Sequence, residues 1–391
     1  MQFLRRISTR RLLALCAAIV AVGAAGTAIA IAASGGGPTP PPKPLAQAIH
    51  DALTAPAVDG VTARIHFTNH LIDQSSLGEG SDPIFTGADG RLWAAKDKLR
   101  LELQSSGGAG DSQVLIDNGH FTVYDAASKT VYRGDLPQDH NDAQADQPPT
   151  LADVEKKLAE VMQKADISGA QPSDVAGQPA YTVRVSPKRD GGLLGSAELA
   201  WDAANGVPLR AAVYAAGSSD PVLELKATDI SFGAVHASAF AVQRPADAKV
   251  VDLAPKQPGG GTDAKPVEGV DAVQAKLPFK LTAPDTLVGL PRGTVRLISS
   301  DEHPAALVTY GKDLGGFAVL ESQSKAGETP ATGNDRGGLK LPAVTIDGAT
   351  GTGTELDTAL GTAITFDRDG VTYVVVGSVP PTAAVAAARA L

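Results

Sequence analysis

The strongest constraint on the fold lies in residues 177–240, where apolar and polar side chains alternate. Tyr181, Val183 and Val185 share one parity, and the residues between them are polar or charged. A period of two is typical of strands with one apolar and one solvated face. Turn residues such as Asn205-Gly206 separate the segments at hairpin spacing. We therefore predict an antiparallel meander with an apolar face that needs a cover.

The same alternation occurs upstream. Leu99, Leu101 and Leu103 are opposed by charged neighbours, and Asn118-Gly119 is a strong signal for a tight turn between two strands. The predicted strands upstream of residue 177 are 61–70, 84–94, 98–104, 113–117, 120–124 and 129–133.

Two helices are predicted to accompany these strands. Residues 45–53 have apolar side chains at helical spacing, and residues 151–165 carry a second apolar stripe. Thr150 is a suitable N-cap for the second helix, and Asp153 favours its first turn. Because two helices must cover about ten strands, part of the apolar face is expected to remain open.

A second unit is predicted after a Gly- and Pro-rich linker. Its strands are expected at 295–298, 306–310, 317–321, 363–366 and 372–377, and a last helix over 381–390 begins with Pro381. The predicted organisation is an N-terminal export segment (1–33), a linker (34–44), a sheet domain (45–250), a second linker (251–276) and a smaller domain (277–391).

The N-terminus is typical of an export segment. A block of four arginines precedes residues 12–33, which carry no charge. A helix of this length spans about 33 Å, which is enough to cross a bilayer. The segment is either a single-pass membrane anchor, with residues 34–391 outside the cytoplasm, or a signal peptide cleaved after an A-x-A site at 28–30 or 30–32. Residues 34–44 are expected to act as a spacer.

Composition argues against nucleic-acid binding and thiol chemistry. The chain has 34 basic and 43 acidic residues, and no basic cluster follows the N-terminal arginines. The single cysteine, Cys16, lies within the export segment, so the exported part has no disulfide and no thiolate ligand.

No motif for catalysis or cofactor binding stands out. The chain has no G-x-S-x-G elbow. His66 and His70 share a strand face, but about 13 Å separates residues four apart on a strand, so they are not expected to share a metal ion. We predict neither a catalytic residue nor a metal or cofactor site, and hence a protein that is not an enzyme.

Several short motifs resemble one known family. They are Gly177-Gln178-Pro179-Ala180-Tyr181, Leu199-Ala200-Trp201-Asp202, Gly206-Val207-Pro208-Leu209-Arg210, and Phe240 with Arg244-Pro245. They resemble the LolA/LolB-fold family, in particular actinobacterial LolA-like and MucB/RseB N-terminal-like exported proteins, over about residues 45–250. The resemblance implies an α+β fold with a curved antiparallel half-barrel sheet covered by helices, here joined to a smaller β-rich α+β domain.

The resemblance also implies a function for the concave face. It would bind the acyl chain of a lipid or lipoprotein, or an extracytoplasmic segment of a regulatory membrane protein such as an anti-sigma factor. A third hypothesis is a structural envelope protein whose apolar face is fully packed, so that the same residues form an ordinary hydrophobic core. The candidate lining residues are Ile65, Phe67, Leu99, Leu101, Leu103, Ile116, Phe121, Val183, Leu199, Val213 and Leu225.

Overall fold

The fold is α+β and its described residues form two compact units. The computed structural model describes residues 37–73, 83–104, 111–126, 128–136, 149–188, 192–241, 247–253, 267–300, 303–312, 315–324, 341–350 and 352–391. The second unit contains the described residues from 267 onwards together with 71–73 and 192–194, and the first contains the rest.

The first unit contains three helices and most of the strands. The helices are α1 (Leu45–Thr54), the single turn α2 (Pro83–Thr86) and α3 (Leu151–Val161), and a 3-10 turn covers Ala237–Phe240. The strands are β1 (Val61–Asn69), β2 (Ala88–Ala95), β3 (Lys98–Gln104), β4 (Ser112–Asp117), β5 (His120–Asp125), β6 (Thr130–Asp135), β7 (Ala165–Ile167), β8 (Gln171–Val175), β9 (Gln178–Pro187), β10 (Leu194–Asp202), β11 (Pro208–Ala215), β12 (Pro221–Phe232) and β13 (Lys249–Leu253).

These strands form one sheet of thirteen strands. Its order is β13-β6-β5-β4-β3-β2-β1-β12-β11-β10-β9-β7, and β8 pairs with β9. Neighbouring strands are antiparallel wherever their pairing is described, except that β13 runs parallel to β6. The first and last long strands of the meander, β1 and β12, therefore meet in the middle of the sheet.

The predicted helices are present, and the second is shorter than expected. The side chain of Thr150 accepts a hydrogen bond from the backbone N–H of Asp153, whose carboxylate accepts one from Thr150 N–H, so α3 begins with a capping box. The helix ends at Val161 rather than Ala165, because Ala165 already pairs with Pro187 of β9 in the sheet.

The strand predicted over 84–94 is also partly wrong. Residues 83–86 form the helical turn α2, and the strand begins only at Ala88. Gly87 separates the two with a φ of 81°, a conformation that strands do not use. The strands β7, β8 and β13 were not predicted.

The second unit is a smaller β-rich layer with helices. It contains α4 (Val270–Gln274), α5 (Pro381–Ala390), β14 (Thr286–Leu287), β15 (Leu290–Ser300), β16 (His303–Tyr310), β17 (Phe317–Gln323), β18 (Ala343–Val344), β19 (Gly353–Thr358), β20 (Gly361–Arg368) and β21 (Val371–Gly377). The strands form one sheet in the order β14-β15-β16-β17-β21-β20-β19-β18. The predicted final helix is confirmed, with Pro381 in its first turn.

The N-terminal predictions concern mostly residues outside this description. The predicted membrane or signal segment 12–33 and Cys16 are among those residues. Within the described part of the chain, no helix is both long and apolar enough to span a bilayer. Residues 37–44 of the predicted spacer are described, and they lie against the sheet: Pro40 is buried, and Pro41 O accepts a hydrogen bond from Tyr181.

Candidate functional site

The strand register gathers the apolar residues of the first unit on one face of the sheet. Across β1 and its neighbours, Ala63 pairs with Leu92 on one side and with Ile230 on the other. Further along β1, Phe67 pairs with Leu225. Because directly paired residues point to the same side of a sheet, these side chains form a continuous apolar surface.

An apolar groove opens on this surface between β1, β2, β11 and β12. Its volume is about 90 Å³. The apolar lining residues are Val58, Val61, Ala63, Ile65, Leu92, Ala94, Ala95, Val207, Pro208, Leu209, Ala211, Leu225, Ala227 and Ile230. Lys96 and Arg210 are the two charged residues among the described lining. A concave site with this composition suits an apolar group.

The two helices pack away from the groove. Helix α1 packs over the β9–β10 part of the sheet, where Ala48 belongs to a buried cluster with Tyr181, Val183 and Trp201. Helix α3 contacts α1, and Val154 is its one buried residue. None of the described groove residues comes from either helix. The groove therefore lies on a part of the sheet to which neither helix contributes lining, and most of its lining residues, among them Ile65, Leu209 and Ile230, are buried.

The structure places the eleven predicted lining residues in several surroundings. Ile65 and Leu225 line the groove. Phe67, Leu101 and Leu103 belong to the apolar cluster around it. Val183 and Leu199 lie in the cluster under α1, and Val213 is buried in β11. Leu99, Ile116 and Phe121 are half-buried on β3, β4 and β5. Whether any of them contacts a ligand stays a prediction.

Part of the groove lining was missed because its residues are small. Ala63, Ala94, Ala211 and Ala227 line it, and their short side chains leave the space that larger residues would fill. Each of these alanines points to the same face of the sheet as a predicted residue on its own strand or on a paired strand. Ala94, for example, pairs with Leu99, and Ala211 pairs with Leu225. The alternation therefore predicts the face on which these alanines lie, but not that their short side chains leave a space.

The opposite face carries a buried charge cluster. Glu198 accepts hydrogen bonds from Arg184 at 2.8 Å, Arg210 at 2.5 Å and Tyr214 at 2.8 Å. Arg210 also donates to Glu224 at 2.5 Å. Burial alone would raise the pKa of Glu198, but the hydrogen bonds from Arg210 and Arg184 outweigh it, and the pKa is lowered. A carboxylate that already accepts hydrogen bonds from three side chains stabilises the sheet rather than accepting a proton from a substrate.

Two histidines, His66 and His70, lie at the C-terminal end of β1. His66 donates from Nδ1 to Asp89 at 2.7 Å, and His70 follows the end of β1. Among the described residues, no three His, Cys, Asp or Glu side chains come together in a way that could hold a metal ion.

Comparisons with known proteins give matches among solved structures and in neither of the two sequence-based searches. No protein-family model matches the chain, and no curated protein matches it. Among solved structures, the Pseudomonas aeruginosa MucA/MucB complex is similar, with a TM-score of 0.43 and 15% identity over 88% of this chain and 97% of that chain. An outer membrane lipoprotein-sorting protein domain from Vibrio parahaemolyticus has a TM-score of 0.22 and 12% identity over 50% of this chain and 94% of that chain.

A LolA superfamily protein from Nitrosomonas europaea is similar at a TM-score of 0.21 and 10% identity, over 51% of this chain and 98% of that chain. MucB and LolA are also the names of the families that the sequence motifs resemble. At these identities and TM-scores, the function of this chain has to be argued from its own geometry.

Proposed function

We propose that this chain is a non-catalytic cell-envelope protein that holds an acyl chain of a lipid or lipoprotein in the groove between β1, β2, β11 and β12. The observation that carries the proposal is the apolar lining of the groove, because a concave site lined by apolar side chains suits an apolar ligand. Burial of a methylene contributes about 0.8 kcal/mol, so a short stretch of chain would bind reversibly.

The volume of the groove supports a second candidate function. At about 90 Å³, it is smaller than the cavity of about 150 Å³ that accepts benzene in an engineered protein. A space of this size admits one branched apolar side chain as readily as a short stretch of an acyl chain. The second candidate is therefore a signalling module that binds an extracytoplasmic segment of a regulatory membrane protein, such as an anti-sigma factor.

The proposed location is the outer side of the cytoplasmic membrane. The arginine block and uncharged residues 12–33 would act as a single-pass anchor, or as a signal peptide that is cleaved on export. N-terminal sequencing of the mature protein distinguishes the two, because only the anchored form retains the arginines.

The full chain, purified from a membrane-containing host, tests the first function. Native mass spectrometry would detect copurified lipid, and a fluorescent fatty acyl probe would report binding. Ala94→Phe fills the groove from a half-buried position, whereas Thr62→Phe adds the same bulk at an exposed position of β1 outside the groove. We expect Ala94→Phe to weaken probe binding at least about tenfold and Thr62→Phe to leave it unchanged.

Two outcomes would count against the lipid function: wild-type protein that carries no lipid and takes up no probe, or an Ala94→Phe variant that binds as well as wild type. A photo-crosslinking residue at Ala95, also in the lining, tests the second function. Crosslinks to one membrane protein would support it, and their absence from envelope extracts would argue against it.

A further inference from the structure

The apolar stripe of α3 is covered at one end of the helix and bare at the other. Val154, near the N-terminal end, is buried, and Leu158 is half-buried. At the C-terminal end, Val161 and Met162 are 45% and 46% exposed. The free energy that burial of these two large side chains would contribute is therefore not realised within the described part of the first unit.

Lysines lie beside these two apolar residues. The ammonium of Lys188 donates a hydrogen bond to the backbone carbonyl of Met162, and the backbone N–H of Lys188 donates one to the carbonyl oxygen of Lys164 at 3.2 Å. Both lysines are exposed. We refer to Val161, Met162, Lys164 and Lys188 as the helix-end patch. Apolar side chains with lysines around them are typical of a surface that lies in a membrane interface.

The charge of the helix-end patch is opposite to that of the chain. The whole chain has 34 basic and 43 acidic residues. Lys164 and Lys188 form no ion pair within the described part of the chain, and the nearest acidic residues along the sequence are Glu160, which pairs with Lys157 at 2.7 Å, and Asp166. An anionic surface would therefore attract this end of the first unit more than the rest of it.

The chain between the predicted membrane anchor and the first unit is short. Residues 34–36 separate the uncharged segment 12–33 from Gly37. Gly37 already lies against the sheet, since a Cβ atom there would clash with the carboxylate of Asp174. A fully extended chain covers at most about 14 Å between residue 33 and Gly37, so an anchor at 12–33 would hold Gly37 within this distance of the bilayer.

One edge of the sheet connects Gly37 with the helix-end patch. Strands β7 and β8 both pair with β9, which is the last long strand at this end of the sheet. Asp174 of β8 pairs with Pro179, and Ala165, which follows Lys164, pairs with Pro187. Eight residues of β9 span about 26 Å. Gly37 and the patch would therefore both reach the bilayer when this edge lies along it.

Resting on the proposed single-pass anchor, we infer that the helix-end patch docks on the outer surface of the membrane that holds the chain. The partner is an anionic lipid surface. Val161 and Met162 enter the boundary between headgroups and acyl chains, and the ammonium groups of Lys164 and Lys188 pair with lipid phosphates. The edge of the sheet at β7 and β8 faces the bilayer.

A fluorescent label beside the patch tests this contact. The full chain with Cys16→Ser receives one new cysteine for nitrobenzoxadiazole, either Gln163→Cys or Val250→Cys. Both positions are exposed, and Val250 lies on β13 at the opposite edge of the sheet. Each chain is reconstituted into vesicles of equimolar phosphatidylcholine and phosphatidylglycerol that contain a nitroxide-labelled lipid. We expect the label at position 163 to be quenched at least about threefold more than the label at position 250.

Two substitutions in the Gln163→Cys chain test the assigned residues. Met162→Ser should lower the quenching at least about twofold, whereas Val250→Ser, at a position that is 47% exposed, should leave it unchanged. Lys164→Glu should lower it about twofold in these anionic vesicles and little in phosphatidylcholine alone. Lys226→Glu makes the same charge change at an exposed position of β12 and serves as the control. Circular dichroism confirms that each variant is folded.

Vesicle flotation separates the inference from the proposed anchor. A chain that does not float with the vesicles contradicts the anchor, and the inference fails with it. If the chain floats but the labels at positions 163 and 250 are quenched alike, the inference is overturned while the anchor stands. The same holds if Lys164→Glu acts no differently from Lys226→Glu, or Met162→Ser no differently from Val250→Ser.

Discussion

The hydroxyl of Tyr181 donates a hydrogen bond of 2.7 Å to the carbonyl oxygen of Pro41. The ammonium of Lys43 lies 5.7 Å from the centre of the same ring and pairs with Asp51 of α1 at 2.5 Å. Residues 37–44 therefore contact both the sheet, through Pro41, and the helix that they precede, through Lys43. The described part of the predicted spacer consequently belongs to the packed first unit and helps to hold α1 on the sheet.

Tyr181→Phe should lower the free energy of unfolding of the first unit by about 1 kcal/mol, the usual contribution of one such hydrogen bond. Urea unfolding followed by tryptophan fluorescence measures the change. Tyr132→Phe is the control, because its hydroxyl has no hydrogen-bond partner within the described part of the chain. Equal effects of the two substitutions would show that the Pro41 contact contributes nothing to stability.

Gly206→Ala should disturb the packing of α1 against the turn at Gly206 as well as the turn itself. Gly206 has a φ of 71°, and a Cβ atom there would lie 2.4 Å from the carbonyl oxygen of Ala52. Gly119→Ala is a matched control, since its φ is 85° but nothing lies within 4 Å of the added atom. Left-handed strain costs about 1–2 kcal/mol and is common to both variants. Because only Gly206→Ala adds a close contact, we expect its loss in the free energy of unfolding to exceed that of the control by at least about 1 kcal/mol in urea unfolding. Equal losses of unfolding free energy in the two variants would show that a Cβ atom at position 206 does not press against Ala52.

The alternation of side chains was sufficient to predict the long strands. Residues 98–104 were predicted with the bounds of β3, because Leu99, Leu101 and Leu103 repeat without interruption. Strand β8 was missed because its sequence, QPSDV, has no apolar alternation, and it pairs with β9 through a tight turn at Ala176-Gly177. The four residues of α2 are too few for a helical period to be seen.

The site was predicted less completely than the sheet. Which face is apolar follows from the sequence, and two of the candidate residues, Ile65 and Leu225, line the groove. The position of α1 along that face depends on distant contacts, such as those of Ala48 with Tyr181 and Trp201, which no local pattern indicates. Glu198 was not predicted to be buried, because its arginine partners come from two other strands.

Glu198→Gln should destabilise the first unit by about 3 kcal/mol, because it leaves Arg184 and Arg210 without their shared carboxylate in a buried setting. The pKa of Glu198 is lowered from 4.5 in the folded chain, so its contribution is present above pH 4.5 and is lost as the pH falls through the lowered pKa. Urea unfolding at neutral and acidic pH measures both effects. Glu155→Gln, at an exposed position of α3, should change stability by less than about 0.5 kcal/mol. A similarly small loss for Glu198→Gln would contradict a stabilising role.

Glu321 predicts the opposite pH dependence in the second unit. Its side chain is fully buried and accepts a hydrogen bond of 2.9 Å from Thr282 N–H, while Oε1 has no hydrogen-bond partner within the described part of the chain. Burial raises the pKa of Glu321 from 4.5 to about 7. The folded chain therefore binds more protons than the unfolded chain between these values, and stability falls as the pH rises from 4.5 to about 7.

Glu321→Gln should remove this pH dependence, because the amide can still accept the hydrogen bond from Thr282 and carries no charge at any pH. Above pH 7 the variant should be more stable than wild type by up to about 3 kcal/mol, the free energy linked to a shift of this size. Differential scanning calorimetry of the full chain over this pH range gives the comparison. Glu268→Gln removes an exposed partner of Arg296 and should change stability by at most about 1 kcal/mol. An unchanged pH profile in Glu321→Gln would show that Glu321 is not the group that titrates.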